Sequence, residues 1–211
     1  MIFSDADHCS SSSNPSNSDR GNASSDKRFP WYTGRGDDGS TQLLGDERVP
    51  KYSTQPETYG TVDEATSALG LARALAAQSG VAEIILEVQR HLYRMMSELA
   101  ATMENREKYR FIEAAHIEWL TEQTDRFGDR MTMPREFVIP GETPAGGALD
   151  LARAVVRRAE RRVLRASADG FVTNPYIARY LNRLSSLCYV LARFEDTGGG
   201  REDVRLARSK S

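Results

Sequence analysis

Three segments of the chain carry residue types and spacings that could do chemistry. The first is a glycine-rich run at residues 33–41, TGRGDDGST, where glycines would let backbone amides approach a phosphate and Ser40 and Thr41 would add hydroxyl donors. The run has the glycine spacing of a P-loop, but Ser40 stands where that motif needs lysine and no strand precedes it. Composition alone therefore leaves two interpretations open, a phosphate-binding loop and a plain surface loop.

The second segment is an arginine-rich run, RAVVRRAERRVLR, at residues 153–165. Arg153, Arg157 and Arg161 are spaced four apart and would share one face of a helix. Guanidinium groups bind phosphate through paired hydrogen bonds and stay charged, so this face could hold a polyphosphate. An amphipathic helix whose arginines pair with neighbouring helices explains the run equally well. In that case the core face would comprise Ala152, Val155, Ala159 and Val163.

The third segment, YLNRLSSLCYVLAR, covers residues 180–193, and Asn182 and Arg183 interrupt its stripe of leucines. A polar pair of this kind more often forms a hydrogen bond between helices than a ligand site. Cys188 has no apparent histidine partner, so we expect a buried thiol and not a nucleophile.

Composition narrows the class of protein. The chain has 211 residues, a formal net charge of −2, 39% hydrophobic and 27% charged residues, which suits one domain with a tail. No apolar run reaches about 18 residues, so we expect no membrane partner. The charge balance and the lack of an aromatic stacking array argue against nucleic acid. The two cysteines and three histidines predict no metal site and suit a reducing cytoplasm.

The elements that would position these segments are helices. Residues 1–28 are rich in serine and asparagine and predict a disordered tail, and residues 31–51 predict a loop without strands. A capping box at Thr61 and Glu64 predicts the start of the first helix, which Gly80 would end. Periodicity and N-cap–proline pairs predict four further helices, over residues 81–104, 106–127, 144–168 and 175–194.

Five helices of similar length joined by short connections predict an all-α fold, an up-and-down five-helix bundle with a glycine-rich N-terminal phosphate loop. The bundle domain would cover residues 29–196. Residues 197–211 would form a flexible C-terminal tail.

In their order and spacing, these segments resemble the PduO-type ATP:cob(I)alamin adenosyltransferase family. The resemblance runs from about Tyr32 to Arg193, and the RxxxRRAERR string with the FVIPG run before it is its most specific part. The other matching strings are YTGRGDDGSTQLLGDERVPK, YGTVDEATSALG, EVQRHLYRMMSELA and YLNRLSSLCYVLAR. The resemblance implies a homotrimer with active sites between subunits. It also implies an enzyme that transfers the 5′-deoxyadenosyl group of ATP to the cobalt of cob(I)alamin, releasing triphosphate, with Mg2+ assisting ATP binding.

The resemblance also implies roles for individual residues. Arg157 and Phe137 would be catalytic, Arg157 by stabilising the charge on the leaving triphosphate and Phe137 by covering the lower face of cobalamin and keeping its lower ligand away. Asp63 and Arg153 would form a salt bridge across the subunit interface. A cobalt reductase and a cobalamin-dependent acceptor enzyme would be further partners. The implied ATP-binding residues are Thr33, Gly34, Arg35, Gly36, Asp37, Gly39, Ser40, Thr41, Lys51, Arg157, Glu160 and Asn182.

The chain departs from the usual family pattern at several of these places. Asp38 occupies the position of the usual loop lysine, and our hypothesis is that Arg35 replaces that lysine. Thr66, Ser186 and Asp150 stand where asparagine, aspartate and histidine are common. A weakened phosphate loop suggests an alternative, a non-catalytic cobalamin carrier, chaperone or sensor on the same fold. A purely structural helical oligomer is a further alternative.

Overall fold

The computed structural model describes residues 32–133, 136–200 and 205–207. The chain divides into two compact units, residues 1–34 and 35–211. Only residues 32–34 of the first unit are described, so the predicted tail at residues 1–28 lies outside the described part.

In its described residues, the second unit is mostly helical, with five long helices, one short helix and a small hairpin. Helix α5 packs against α1 and α6, α1 also packs against α2, and α4 packs against α6. None of these helices is long and apolar enough to cross a membrane. The elements are β1 Ser40–Gln42, β2 Arg48–Pro50, α1 Thr54–Leu75, α2 Val81–Ala100, α3 Arg106–Tyr109, α4 Ala114–Gly128, α5 Pro144–Ala168 and α6 Pro175–Asp196.

The apolar stripes of the helices meet in one core. The leucine stripe predicted for α6 is buried, and Phe127 of α4 meets Phe194 of α6 edge-on with 5.0 Å between ring centroids. On α5 one core residue was predicted wrongly. Val156 is fully buried, whereas Val155 is only partly buried, because the helical period places residue 156 on the same side as Ala152 and Ala159.

The prediction that residues 31–51 contain no strand is wrong. Strands β1 and β2 pair antiparallel within this segment. The turn between them is joined to the end of α2, because the Leu44 N–H donates to the Ala100 carbonyl at 2.8 Å. Strands of three residues are too short for the alternation that reveals a strand in a sequence.

The predicted boundaries of the first helix are also wrong. Helix α1 begins at Thr54, and the Thr61 hydroxyl donates to the Glu57 carbonyl at 2.7 Å inside the helix, so Thr61 and Glu64 do not cap its start. The start is marked instead by Pro56, whose missing N–H costs nothing in a first turn. Helix α1 ends at Leu75, and Gly80, with φ of 87°, is the N-cap of α2.

The predicted helix over residues 106–127 is two helices, α3 and α4. The break follows from Glu98, a buried residue of α2 whose carboxylate accepts a hydrogen bond from the Phe111 N–H at 3.0 Å. Helix α4 then starts behind a capping box formed by Glu113 and His116. A buried carboxylate that needs donors therefore overrides the helical periodicity here.

The starts of α5 and α6 confirm the predicted N-cap–proline signals. The Thr143 hydroxyl accepts the Gly146 N–H at 2.9 Å, and the Asn174 side chain accepts the Tyr176 N–H at 3.0 Å. Each cap is followed by proline at the first helical position. These two helices carry the arginine-rich run and Asn182, and their packing defines where those residues lie.

Candidate functional site

Lys51 forms two hydrogen bonds with the glycine-rich loop of the second unit. Lys51 Nζ donates to the Gly36 carbonyl at 2.7 Å, and the Lys51 N–H donates to the Gly39 carbonyl at 2.9 Å. Gly39 has φ of 80°, a conformation that favours glycine. A Cβ atom at Gly36 would lie 3.0 Å from Lys51 Nζ. The fold therefore brings Lys51 onto the loop, as the predicted phosphate site requires.

Asp38 is bound inside this loop. Its Oδ1 accepts hydrogen bonds from the Ser40 N–H at 2.9 Å and the Ser40 hydroxyl at 2.7 Å, and Arg48 Nη2 lies 3.3 Å away. The Ser40 hydroxyl and N–H, helped by the charge of Arg48, hold the pKa of the Asp38 carboxyl below its usual value. Asp38 is therefore a carboxylate that braces the loop.

Arg48 was missed by the sequence analysis. Its guanidinium contacts Ser40 Oγ, donates to the Arg35 carbonyl at 2.8 Å and pairs with Asp38. The available signal was an opposite charge ten residues from Asp38. Only the hairpin, which was not predicted, brings these two residues together.

Four of the six α5 arginines pair with carboxylates, and two of these pairs join α5 to α1, as the amphipathic-helix interpretation expects, while the other two are local to α5. Arg157 and Arg161 form no ion pair within the described ranges. The Arg157 side chain is exposed, so its guanidinium can meet an anion. The four pairs are Arg153–Asp150 at 3.2 Å, Arg158–Glu64, Arg162–Glu57 at 3.1 Å and Arg165–Asp169 at 3.1 Å.

Arg157 lines a cavity of about 280 Å³ between α5 and α6. One helical turn along α5, the Glu160 carboxylate accepts the Asn182 side-chain amide at 2.9 Å. The hydrogen bond between helices that was expected at Asn182 is therefore present. It also places three of the implied ATP-binding residues, Arg157, Glu160 and Asn182, on adjoining faces of the two helices. The other residues that line this cavity are Arg153, Ser185, Ser186, Tyr189 and Val190.

Phe137 lies on the segment between α4 and α5, and its side chain is 88% exposed. It lines a second cavity, of about 330 Å³. Two residues of this wall, Arg153 and Tyr189, also line the Arg157 cavity, so the two cavities adjoin. The remaining lining residues are Glu136, Val138, Pro140, Asp150 and Arg193.

A buried ionic network borders the Phe137 cavity. Arg193 Nη2 binds the carboxylates of Asp150 and Asp196, the latter at 2.8 Å, and all three side chains are buried. Asp150 also accepts Arg153 Nε at 3.2 Å and so holds the side chain that the two cavities share. Arg193 was not among the predicted site residues. The available signal was the opposite charge of Asp196, three residues further on, because Arg193 lies on the other side of α6 from the leucine stripe.

Asp63 is exposed on α1, and the ion pair that Arg153 makes within the chain is with Asp150. The Asp63–Arg153 pair concerns two subunits and stays a prediction. Thr33 and Gly34 are exposed in the first compact unit, and Gly34 has φ of 68°.

The fold and the two adjoining cavities define a helical-bundle protein with arginine side chains beside an exposed aromatic wall. Residues 31–195 match the family model described as cobalamin adenosyltransferase. The chain belongs to this cobalamin adenosyltransferase family.

Relatives and solved structures agree with this placement. The chain is 35% identical over 180 residues to the corrinoid adenosyltransferase PduO of Salmonella typhimurium, covering 85% of this chain and 53% of that protein. It is also 35% identical to a corrinoid adenosyltransferase of Bacillus subtilis, covering 84% and 92% of the two chains. The chain spans about half the length of the PduO relatives that it matches.

A variant of the PduO-type ATP:corrinoid adenosyltransferase from Lactobacillus reuteri, complexed with cobalamin and ATP, has a TM-score of 0.77 to this chain. The two are 26% identical, and the match covers 84% of this chain and 99% of that one. A second variant of the same protein, complexed with ATP, has the same TM-score.

Proposed function

We propose that the chain transfers the 5′-deoxyadenosyl group of ATP to the cobalt of cob(I)alamin, giving adenosylcobalamin and triphosphate. The observation that carries this proposal is the wall of Arg153 and Tyr189 between the two cavities. ATP would bind on the Arg157 side and cobalamin on the Phe137 side, so that the reacting groups meet at the shared wall. The family and the relatives named corrinoid adenosyltransferase support the same reaction.

The reaction suits a site without a protein nucleophile. Reduced cobalamin supplies the electron pair for the new cobalt–carbon bond, while the bond from C5′ to the triphosphate oxygen breaks. Charge then grows on the triphosphate, where Arg157, Lys51 and loop amides would stabilise it. Holding C5′ in line with cobalt is the remaining task, and it is one of positioning. Cys188 would take no part, since burial raises the pKa of its thiol to about 12.

Phe137 would act on the cobalt before transfer. Its exposed ring would lie against the lower face of the corrin and keep water and the lower ligand away. Cobalt(II) without axial ligands is easier to reduce than cobalt(II) with them. The protein would thus supply the environment in which the cofactor reacts.

The proposed assembly is a homotrimer of up-and-down bundles with active sites between subunits. Asp63 is exposed, and Arg153 keeps a third of its side-chain surface exposed after binding Asp150. A guanidinium has five N–H donors, so Arg153 can bind Asp150 of its own chain and Asp63 of another subunit at the same time. The loop of one subunit would then complete the α5–α6 site of its neighbour.

Magnesium would enter with the nucleotide. In the part of the chain that the structure describes, no three acidic, histidine or cysteine side chains cluster closely enough to hold a metal ion. Mg2+ is commonly held by substrate phosphates and water with only one or two carboxylates. A site without a cluster of three protein ligands is therefore compatible with Mg2+ bound to ATP. Asp37, which is exposed in the loop, is the carboxylate we assign to it, because Asp38 is engaged by Ser40 and Arg48.

An anaerobic assay tests the proposal. The protein is mixed with ATP, Mg2+ and chemically reduced cob(I)alamin, and the visible spectrum is followed for a light-sensitive product. We expect adenosylcobalamin to form faster than without protein, and Arg157→Ala to slow its formation about a hundredfold, the scale of losing one charge-stabilising group. Arg161→Ala, which removes the other unpaired arginine of α5, is the matched control and should stay near wild type.

The carrier alternative makes a different prediction for the same assay. A carrier, chaperone or sensor needs the Phe137 cavity but not Arg157. Saturable cobalamin binding without product, unaffected by Arg157→Ala, would favour it over the enzyme. The cytoplasmic location, the cobalt reductase and the acceptor enzyme remain predictions in either case.

A further inference from the structure

The segment that carries Phe137 is paired with residues 205–207, which lie in the predicted flexible tail. The Ile139 N–H donates to the Arg205 carbonyl at 3.0 Å, and the Ala207 N–H donates to the Phe137 carbonyl at 2.7 Å. These two bonds form an antiparallel bridge. We call residues 205–207 the C-terminal strap.

A second anchor holds the same segment at its other end. The Thr143 N–H and hydroxyl both donate to Asp196 Oδ1 at 3.0 Å, at the start of α5. Between the two anchors, Arg205 Nε lies 3.5 Å from the Glu142 carboxylate. Thr143 is tied to the buried network of Arg193, whereas the strap is the contact nearest to Phe137.

The Phe137 side chain depends on its backbone for its position. It is 88% exposed and packs little against the bundle. An aromatic ring that is not held by packing points where its main chain directs it, and the strap bonds that main chain at residue 137 itself. The strap lies beyond residue 195, where the family match ends. One partner of this contact is therefore outside the matched segment, while Phe137 is inside it.

We infer that the C-terminal strap is a positioning segment for Phe137, an inference that rests on the proposed function. When the strap is paired, the ring is presented to the lower face of cobalamin. When the pairing is lost, the segment moves as a loop and the lower ligand or water returns to the cobalt. ATP binding, which would use the loop and α5, is unaffected.

A single backbone change tests this. Ala207→Pro removes the N–H that donates to Phe137, and Ala207→Gly keeps it and is the matched control. Hydrogen exchange of the peptide that contains residues 137–139 reports the pairing without any ligand. Electron paramagnetic resonance of bound cobalamin in the cobalt(II) state, with ATP present, reports how much of it has lost its lower ligand. ATP affinity is measured alongside.

We expect Ala207→Pro to speed exchange at residue 139 and to lower the ratio of four-coordinate to ligand-bound cobalt(II) about five- to tenfold, the scale of one lost hydrogen bond. ATP affinity and the glycine variant should match wild type. Unchanged exchange, or faster exchange with a wild-type cobalt(II) spectrum, would overturn the inference. The cobalt(II) spectrum requires binding but no transfer. A wild-type protein that forms four-coordinate cobalt(II) without adenosylcobalamin would therefore contradict the proposed function and leave the role of the strap supported.

Discussion

The carboxylate of Asp150 binds the guanidinium of Arg193 inside the bundle, at the border of the Phe137 cavity. Both side chains are almost inaccessible, 5% and 1% exposed. This chain therefore places a carboxylate where it compensates a buried cation and, through Arg153, orders the wall between the two cavities.

Replacing this carboxylate should cost stability. We expect Asp150→Asn to lower the free energy of unfolding by about 1–3 kcal/mol, because Arg193 keeps Asp196 but loses one charged partner. Asp169→Asn removes a carboxylate from a more exposed pair, with Arg165, and should change stability by less than about 1 kcal/mol. Urea titration of the two variants checks this, and equal midpoints would contradict it.

Gly146 should not accept a side chain. A Cβ atom there would lie 1.9 Å from Asp196 Oδ1, which Thr143 holds in place with two hydrogen bonds. We expect Gly146→Ala to destabilise the protein by about 1–3 kcal/mol. Gly147→Ala, whose Cβ would meet only Gly141 Cα at 3.4 Å, should be neutral or stabilising, since alanine favours helix. Thermal unfolding of both variants decides it, and the prediction fails if Gly146→Ala melts at or above Gly147→Ala.

Arg35 should contribute to ATP binding if it replaces the missing loop lysine. Its carbonyl accepts Arg48 Nη2 at 2.8 Å, which fixes the backbone from which the side chain extends. We expect Arg35→Ala to weaken ATP binding about tenfold and Arg35→Lys to restore most of it, as for a charged hydrogen bond to phosphate. Calorimetric titration with ATP and Mg2+ measures this, and wild-type affinity in Arg35→Ala would show that another group fills the role.

The stability of the fold should fall in mild acid because of His91. Its ring lies against Tyr180, with Nδ1 3.0 Å from the hydroxyl oxygen, and against His116, 4.8 Å between ring centroids. Burial, then the neighbouring charge of His116, lower the pKa of His91 below its usual 6.5, while Glu87 opposes the shift. The unfolded chain therefore takes up the proton first, and this contribution to stability is present above pH 6.5 and is lost as the pH falls.

Urea midpoints measured at about pH 7.5 and about pH 5.5 check this sign. We expect the midpoint of the wild type to fall over that range. The difference should be smaller in His91→Gln, which has no titrating ring at that position. An equal pH dependence in the two proteins would show that other groups cause the effect.

The helical class of the fold and the starts of α5 and α6 could be predicted from local sequence signals. Thr143 and Asn174 act within their own first turns, and such caps are readable because donor and acceptor are three residues apart or fewer. The arginine-rich run could also be placed on one helix, because its arginines recur four residues apart. Its division into paired and unpaired arginines could not, because the partners of Arg158 and Arg162 lie on α1.

What the sequence did not reveal depends on distant partners. The split between α3 and α4 needs Glu98 of another helix, and the brace of Asp38 needs Arg48 across a hairpin. The burial of Arg193 could not be predicted from the leucine stripe, which lies on the other side of α6, and its carboxylate partner Asp150 lies 43 residues away. Contacts between elements, and not the elements themselves, are therefore the part that periodicity leaves open.

The two cavities share one wall. Arg153 and Tyr189 belong to both cavities, so a ligand that shifts either side chain alters the shape offered to the other ligand. The two affinities are then linked, and whatever factor ATP adds to cobalamin binding, cobalamin must add to ATP binding. Where that factor exceeds one, the doubly loaded protein is the tight state, and where it is below one, each ligand weakens the other, with Arg153 as the point of communication.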